Sequence, residues 1–131
     1  MLYTKSIFKP KEDDDGVRIS VMSRHTLNDG VTPDERITLE SFDEHLQVLA
    51  PPLKLIGDYY RRGLSWEGYV ERYLHYIRSS AVVPHVSNLA ERALGANVTL
   101  LCVEDIADKC HRRLIAEECK IYQHSLEVIH R

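Results

Sequence analysis

The chain contains no C-x-x-C pair and no short C-x2–4-C spacing of the kind zinc knuckles use. Its three cysteines, Cys102, Cys110 and Cys119, are an odd set without framework spacing. That argues against a disulfide scaffold and for reduced thiols in a cytoplasmic setting. No apolar run approaches the roughly 20 residues a membrane span needs, so no membrane partner is expected. The opening MLYTKSIFKP lacks the apolar centre of a signal peptide and reads as a strand. Internal repeats and low-complexity linkers are missing too. Charge of one sign is also scarce: the net value is −3 with histidine neutral. The chain therefore has no global attraction to nucleic acid or anionic lipid, although a local basic patch is compatible with that value.

What is present suits one soluble domain over residues 1–131. A chain of 131 residues supports one core, and 44% apolar with 28% charged residues is an ordinary globular balance. Residues 2–7 are β-rich and alternate. Residues 17–23 set Val17, Ile19 and Val21 against Arg18, Ser20 and Met22, a second strand. Residues 24–36 form a loop with turn signals at Asp29-Gly30 and Pro33-Asp34. A short third strand fits within 43–52, stopped by the double proline.

The middle is helical. Leu53, Ile56 and Tyr60 share one helix face, and Gly63 sits where a left-handed cap belongs, followed by Leu64. Ser65 then caps a helix carrying Trp66, Tyr69, Val70, Tyr73, Leu74 and Ile77 on one side. These two helices form an αα-hairpin. A further helix over 85–94 turns Val86, Leu89, Ala90 and Leu94 inward. Residues 97–104 are nearly continuous apolar, as in a strand buried on both faces. A helix over about 109–124 follows, with Asp108 as its expected N-cap. The fold class is α/β: a small three-layer domain, its short, mostly parallel sheet flanked by helices, with the helical hairpin in the middle.

The segment LLCVEDIADKCHRRLIAEEC holds every cysteine. With Asp108 as cap, Cys110 falls in the first helical turn. There free N–H groups, the helix dipole, His111 and Arg112 all favour a thiolate. The alternative reading makes Cys110 a small core residue beside Leu114, because free cysteine is among the most buried residue types. Cys102 and Glu104 lie on one side of a strand that ends where ligands bind in open α/β sheets. A carboxylate at such a place needs a partner or a task, and a salt bridge to Arg112 or Arg24 would supply the first. Zinc is not expected: adjacent Cys110 and His111 would point about 100° apart on a helix, and Cys119 and His124 lie further along it.

A second loop, SRHTLNDG at 23–30, puts Arg24, His25, Asn28 and Asp29 into six positions. If strand 17–23 runs parallel beside strand 97–103, this loop reaches the same sheet edge as Glu104 and Cys110. Arg24 and Arg112 would then hold an anion, and His25 or His111 would move a proton. Ordinary turn chemistry accounts for Asn-Asp-Gly equally well. YYRRG at 59–63 pairs aromatic with basic groups, as single-strand binders do, and also reads as a helix end favoured by the dipole.

These elements resemble the bacterial and archaeal family known as the domain of unknown function numbered 488. The resemblance lies in an apolar strand ending Cys102-x-Glu104, then a loop, then Cys110-His111-Arg112 opening a helix. MLYTKSIF, SRHTLNDG and LAPPLKLIGDYYRRGLSWEGYVERYLHYIR extend it over most of the chain. It implies a three-layer α/β fold and carries over no catalytic role.

The leading expectation is therefore an uncharacterised protein with an anion-binding cleft made by Arg24, His25 and Arg112. Glu104, Cys110 and His111 would be its catalytic candidates, as acid/base and nucleophile, and a phosphate- or carboxylate-bearing small molecule its ligand. No cofactor and no metal are expected. A nucleic-acid phosphate is a second source of the same anion. The competing expectation is a non-enzymatic interaction module or homodimer, with a structural Cys-His-Arg turn and contacts through edge strand 2–7 or the αα-hairpin. A third is redox pairing of Cys102 with Cys110, which needs their Cα atoms within about 7 Å.

Overall fold

A computed structural model describes residues 1–131. Its centre is a five-stranded, all-parallel sheet. The strands are β1 (Leu2–Ser6), β2 (Val17–Ser20), β3 (Glu44–His45), β4 (Val98–Cys102) and β5 (Val128–His130), in spatial order β3-β2-β4-β1-β5. Register aligns Leu2 and Val17 with Val98, and Ser6 with Cys102. The carboxyl ends of β1, β2 and β4 therefore finish at one edge. The expected parallel pairing of the second strand with the strand ending at Cys102 is present.

Strand alternation divides the sheet chemically. Leu2, Ile19, Val21, Val98 and Leu100 join one apolar cluster with side chains from every helix. Those helices are α1 (Leu53–Tyr60), α2 (Trp66–Ile77), α3 (Val83–Gly95) and α4 (His111–Tyr122). The other face carries Lys5, Arg18 and Thr99, all buried. Asp15 is fully buried there and accepts from Lys5 Nζ at 3.2 Å and Arg18 Nη1 at 2.6 Å. This layer is built from loops and a short 3-10 turn at Asp13–Asp15 rather than from α-helices. Ile7, Met22 and Leu101 pack there with Ile37 and Phe42. Gly16 makes the entry to β2 possible. Its φ is 65°, and a Cβ on it would stand 1.9 Å from the Asn97 carbonyl oxygen.

Several boundaries depart from the sequence expectation. Strand 2–7 is not an edge, because β4 and β5 flank it. The homodimer surface expected along that strand is therefore already occupied by hydrogen bonds. The third strand shrinks to two residues and is followed by a short 3-10 turn at Gln47–Leu49. Terminal strand β5 was not expected: three residues give too short a pattern to detect. In α3, Ala93 is buried and Leu94 is 44% exposed.

The helical hairpin forms as expected. Ser65 Oγ accepts from the Gly68 N–H at 3.0 Å, and Gly63 adopts φ 77°. Tyr69, Tyr73 and Ile77 fill the core, with the Tyr73 hydroxyl donating to the Leu49 carbonyl at 2.6 Å. In α1 it is Leu55 and Gly57 that are buried. Leu53, Ile56 and Tyr60, the stripe that shares one face of the helix, form a wall of a cavity.

Candidate functional site

The cavity, of about 730 Å³, opens at the carboxyl edge of β2 and β4. Met22, Ser23 and Arg24 come from the end of β2, and Cys102, Val103 and Glu104 from the end of β4. His111 enters from the start of α4, and Tyr60, Arg61 and Arg62 from the end of α1. Crevices beyond the carboxyl ends of parallel strands are where open α/β sheets bind ligands. Parallel strands leave one edge where side chains from separate loops meet.

Local structure at α4 differs from the expectation in a way that matters. Asp108 is not the cap. Cys110 is the N-cap residue, with extended φ −136° and ψ 142°. It therefore stands off the helical wheel, and the 100° divergence from His111 does not apply. Cys102 Sγ lies 3.8 Å and Cys110 Sγ 3.9 Å from His111 Nδ1. All three side chains are buried. The opposite ring atom, His111 Nε2, lies 2.7 Å from the Val21 carbonyl oxygen. A carbonyl only accepts, so Nε2 carries a proton, and Nδ1 is the ring atom left facing the two sulfurs.

Arg112 is fully buried and has no carboxylate partner. Its Nη1 donates to the Glu104 backbone carbonyl at 2.8 Å and to Cys110 Sγ at 3.4 Å, and Nη2 donates to the Asp105 carbonyl at 3.4 Å. Its Nε has no partner. A buried cation needs a counter-charge, and the Cys110 sulfur is the ionisable group it touches. The hydrogen bond from the Cys102 thiol, with His111 and Arg112 beside it, holds the Cys110 thiol well below the ordinary range against the opposing effect of burial. Cys102, the donor in that pair, is pushed up by the same bond and by burial. Cys119 is separate: burial pushes it up to about 12, and its sulfur faces the Val86 carbonyl.

Of the residues singled out from the sequence, Arg24, Glu104 and His111 line the cavity, together with Cys102. His25, Cys110 and Arg112 do not. His25 Nε2 pairs with Ser20 Oγ at 2.7 Å, and its ring packs against Phe42 and His45. The expected Glu104 salt bridge to Arg112 or Arg24 is not formed. The carboxylate accepts from the Tyr60 hydroxyl at 2.9 Å, while Arg112 takes the backbone carbonyl of the same residue. Burial and then the Glu104 charge push the Tyr60 phenol upward. The residues that the sequence underweighted are Tyr60 and Arg61. Their signal was the aromatic-basic run at 59–63, whose end-of-helix reading is also true.

The combination of strand-end Cys102-x-Glu104 with cap Cys110 and helical His111-Arg112 can now be set against known families. A family model described as "Active DUF488-N3 subclade" matches residues 2–122. The chain belongs to the DUF488 family. No curated protein and no solved structure matches it. The DUF488 match spans all four helices and every strand except β5. Both the cavity and the Cys-His-Arg turn lie inside it.

Proposed function

We propose that the cleft binds a small molecule bearing a phosphate or carboxylate and acts on it at its Cys102–His111 floor. One observation carries this reading. The 730 Å³ cavity is lined by three arginines, Arg24, Arg61 and Arg62, together with Cys102, Glu104 and His111. Arg61 forms no side-chain hydrogen bond or ion pair, so its fork is available to an anion. Arg24 spends one donor on the Gly30 carbonyl and keeps the rest. Leu53, Ile56 and Tyr69 give apolar walls for the body of the ligand.

In this reading His111 forms the floor beside Cys102, and the hydroxyl of Tyr60 positions the Glu104 carboxylate as the acid/base. Cys102, not Cys110, is the thiol that meets the ligand. Cys110 and Arg112 act behind it, setting charge and holding the 103–110 loop. His25 steadies the strand-end loop through Ser20. The word "Active" in the family description agrees with a catalytic cleft.

The test is a titration of isotope-labelled protein with inorganic phosphate, acetate and a short oligonucleotide, following amide shifts. Phosphate or acetate is expected to move Arg24, Arg61, Glu104 and His111. Arg61→Ala should weaken binding about tenfold, near 1.4 kcal/mol, with stability unchanged within about 0.5 kcal/mol. Shifts spread over other surfaces, or an Arg61→Ala variant that binds equally well, would refute the cleft. Response to the oligonucleotide alone would move the anion's source to nucleic acid.

A further inference from the structure

Two thiols and one imidazole nitrogen meet where β4 ends and α4 begins. Cys102 Sγ, Cys110 Sγ and His111 Nδ1 all lie within 4.8 Å of one another. The two sulfur–nitrogen separations are 3.8 and 3.9 Å. Tetrahedral zinc, with bonds of about 2.3 Å to sulfur and about 2.0–2.1 Å to nitrogen, sets such ligands about 3.6 Å apart. Bringing the imidazole and each sulfur onto one ion therefore takes only a few tenths of an ångström.

A second, independent feature points the same way. Nε2–H is committed to the Val21 carbonyl at 2.7 Å, which fixes the ring with Nδ1 facing both sulfurs and leaves Nδ1 as the nitrogen a metal would take. Metal-bound histidines hold their rings in this manner, giving the far N–H to a carbonyl or carboxylate. The Arg112 guanidinium reaches Cys110 Sγ at 3.4 Å and favours the thiolate that a metal needs.

We infer that Cys102, Cys110 and His111 form a zinc site with its fourth position open to the cavity. The donors select the ion: two thiolates and an imidazole suit zinc, while magnesium and calcium take oxygen. Three protein ligands with one position left open are the arrangement of catalytic rather than structural zinc. Cys102 and His111 both line the cavity, so the open position faces it. Charge fits as well. Zinc with two thiolates is neutral, so buried Arg112 leaves the centre with one positive charge. Hydroxide, or the anionic group of a ligand, would balance it. This deepens the cleft reading and rests on it only for what occupies the fourth position.

The test uses the full chain, reduced and treated with chelator, titrated with Co(II) and then displaced by Zn(II). A thiolate-to-cobalt charge-transfer band saturating at one equivalent is expected, with the strong visible bands of a tetrahedral centre. Cys102→Ser and His111→Ala should each lose at least about a hundredfold in affinity, beyond the 10–100-fold typical of losing an outer partner. Cys119→Ser should bind like wild type. The wild-type spectrum decides the matter even if a variant misfolds. No stoichiometric band, or a band that survives Cys102→Ser and disappears with Cys119→Ser, overturns the site. Reduced protein that takes no cobalt, yet forms a Cys102–Cys110 disulfide under mild oxidation, overturns it in favour of a redox pair. Phosphate titration of the metal-free protein reads the arginine side alone, so the two readings fail separately.

Discussion

Arg112→Met is the most informative single substitution. Methionine keeps the buried stem and removes a guanidinium that holds the Glu104 and Asp105 carbonyls and the Cys110 sulfur. The 2.8 Å bond to Glu104 is the strong one; the contacts at 3.4 Å add less. A hydrogen bond from a charged donor contributes about 1.5–3 kcal/mol, and the weaker pair adds about 1 kcal/mol. Against this stands recovered desolvation of the cation, including an Nε without a partner. The balance is a loss of about 2–4 kcal/mol, whose upper half overlaps the lower part of the roughly 3–5 kcal/mol range for breaking buried charge pairs. A domain with about 5–15 kcal/mol of stability stays folded. Urea unfolding of the reduced, metal-free protein measures it. The same substitution should raise the pH at which the Cys110 thiolate absorbance appears. The double variant Cys110→Ala/Arg112→Met should lose less than the sum of its singles, with coupling of about 0.5–3 kcal/mol. An Arg112→Met protein within about 0.5 kcal/mol of wild type, with unchanged thiol titration, would refute the account of Arg112 as loop tie and counter-charge.

Two further outcomes follow from the same geometry. Gly16→Ala should destabilise by more than about 1 kcal/mol in urea unfolding, since φ 65° is strained for alanine and the new Cβ would meet Asn97; a neutral result would mean the β1–β2 link is looser than described. Burial, and then His45, hold the His25 imidazole below its ordinary 6.5. The folded state therefore keeps it neutral. Its stabilising contribution is complete above 6.5 and declines as pH falls from there toward the lower folded value. An NMR titration of His25 with a midpoint at or above 6.5 would contradict this.

Local patterns were enough for the local elements. The i, i+3, i+4 repeat from Trp66 to Ile77, the Ser65 cap and the apolar run to Cys102 all became the structures their periodicity required, because each is decided by near neighbours. The chemistry of the candidate site was legible in the same way, as Cys102-x-Glu104 and Cys110-His111-Arg112. Its arrangement was not. Whether Arg112 meets a carboxylate or a carbonyl, and whether Leu53 and Tyr60 face the core or a cavity, depends on where other strands end. Cys110 shows the limit most directly. A shift of the helix cap by two residues, from Asp108 to Cys110, turned it from a first-turn side chain into an extended cap, and brought its sulfur toward Cys102 and His111. Cap position is set by how the 103–110 loop is tied down, which here includes the long-range bond from His111 to Val21. Sequence periodicity determined which residues become helix and strand; the parallel register of β2 beside β4 determined which of them meet.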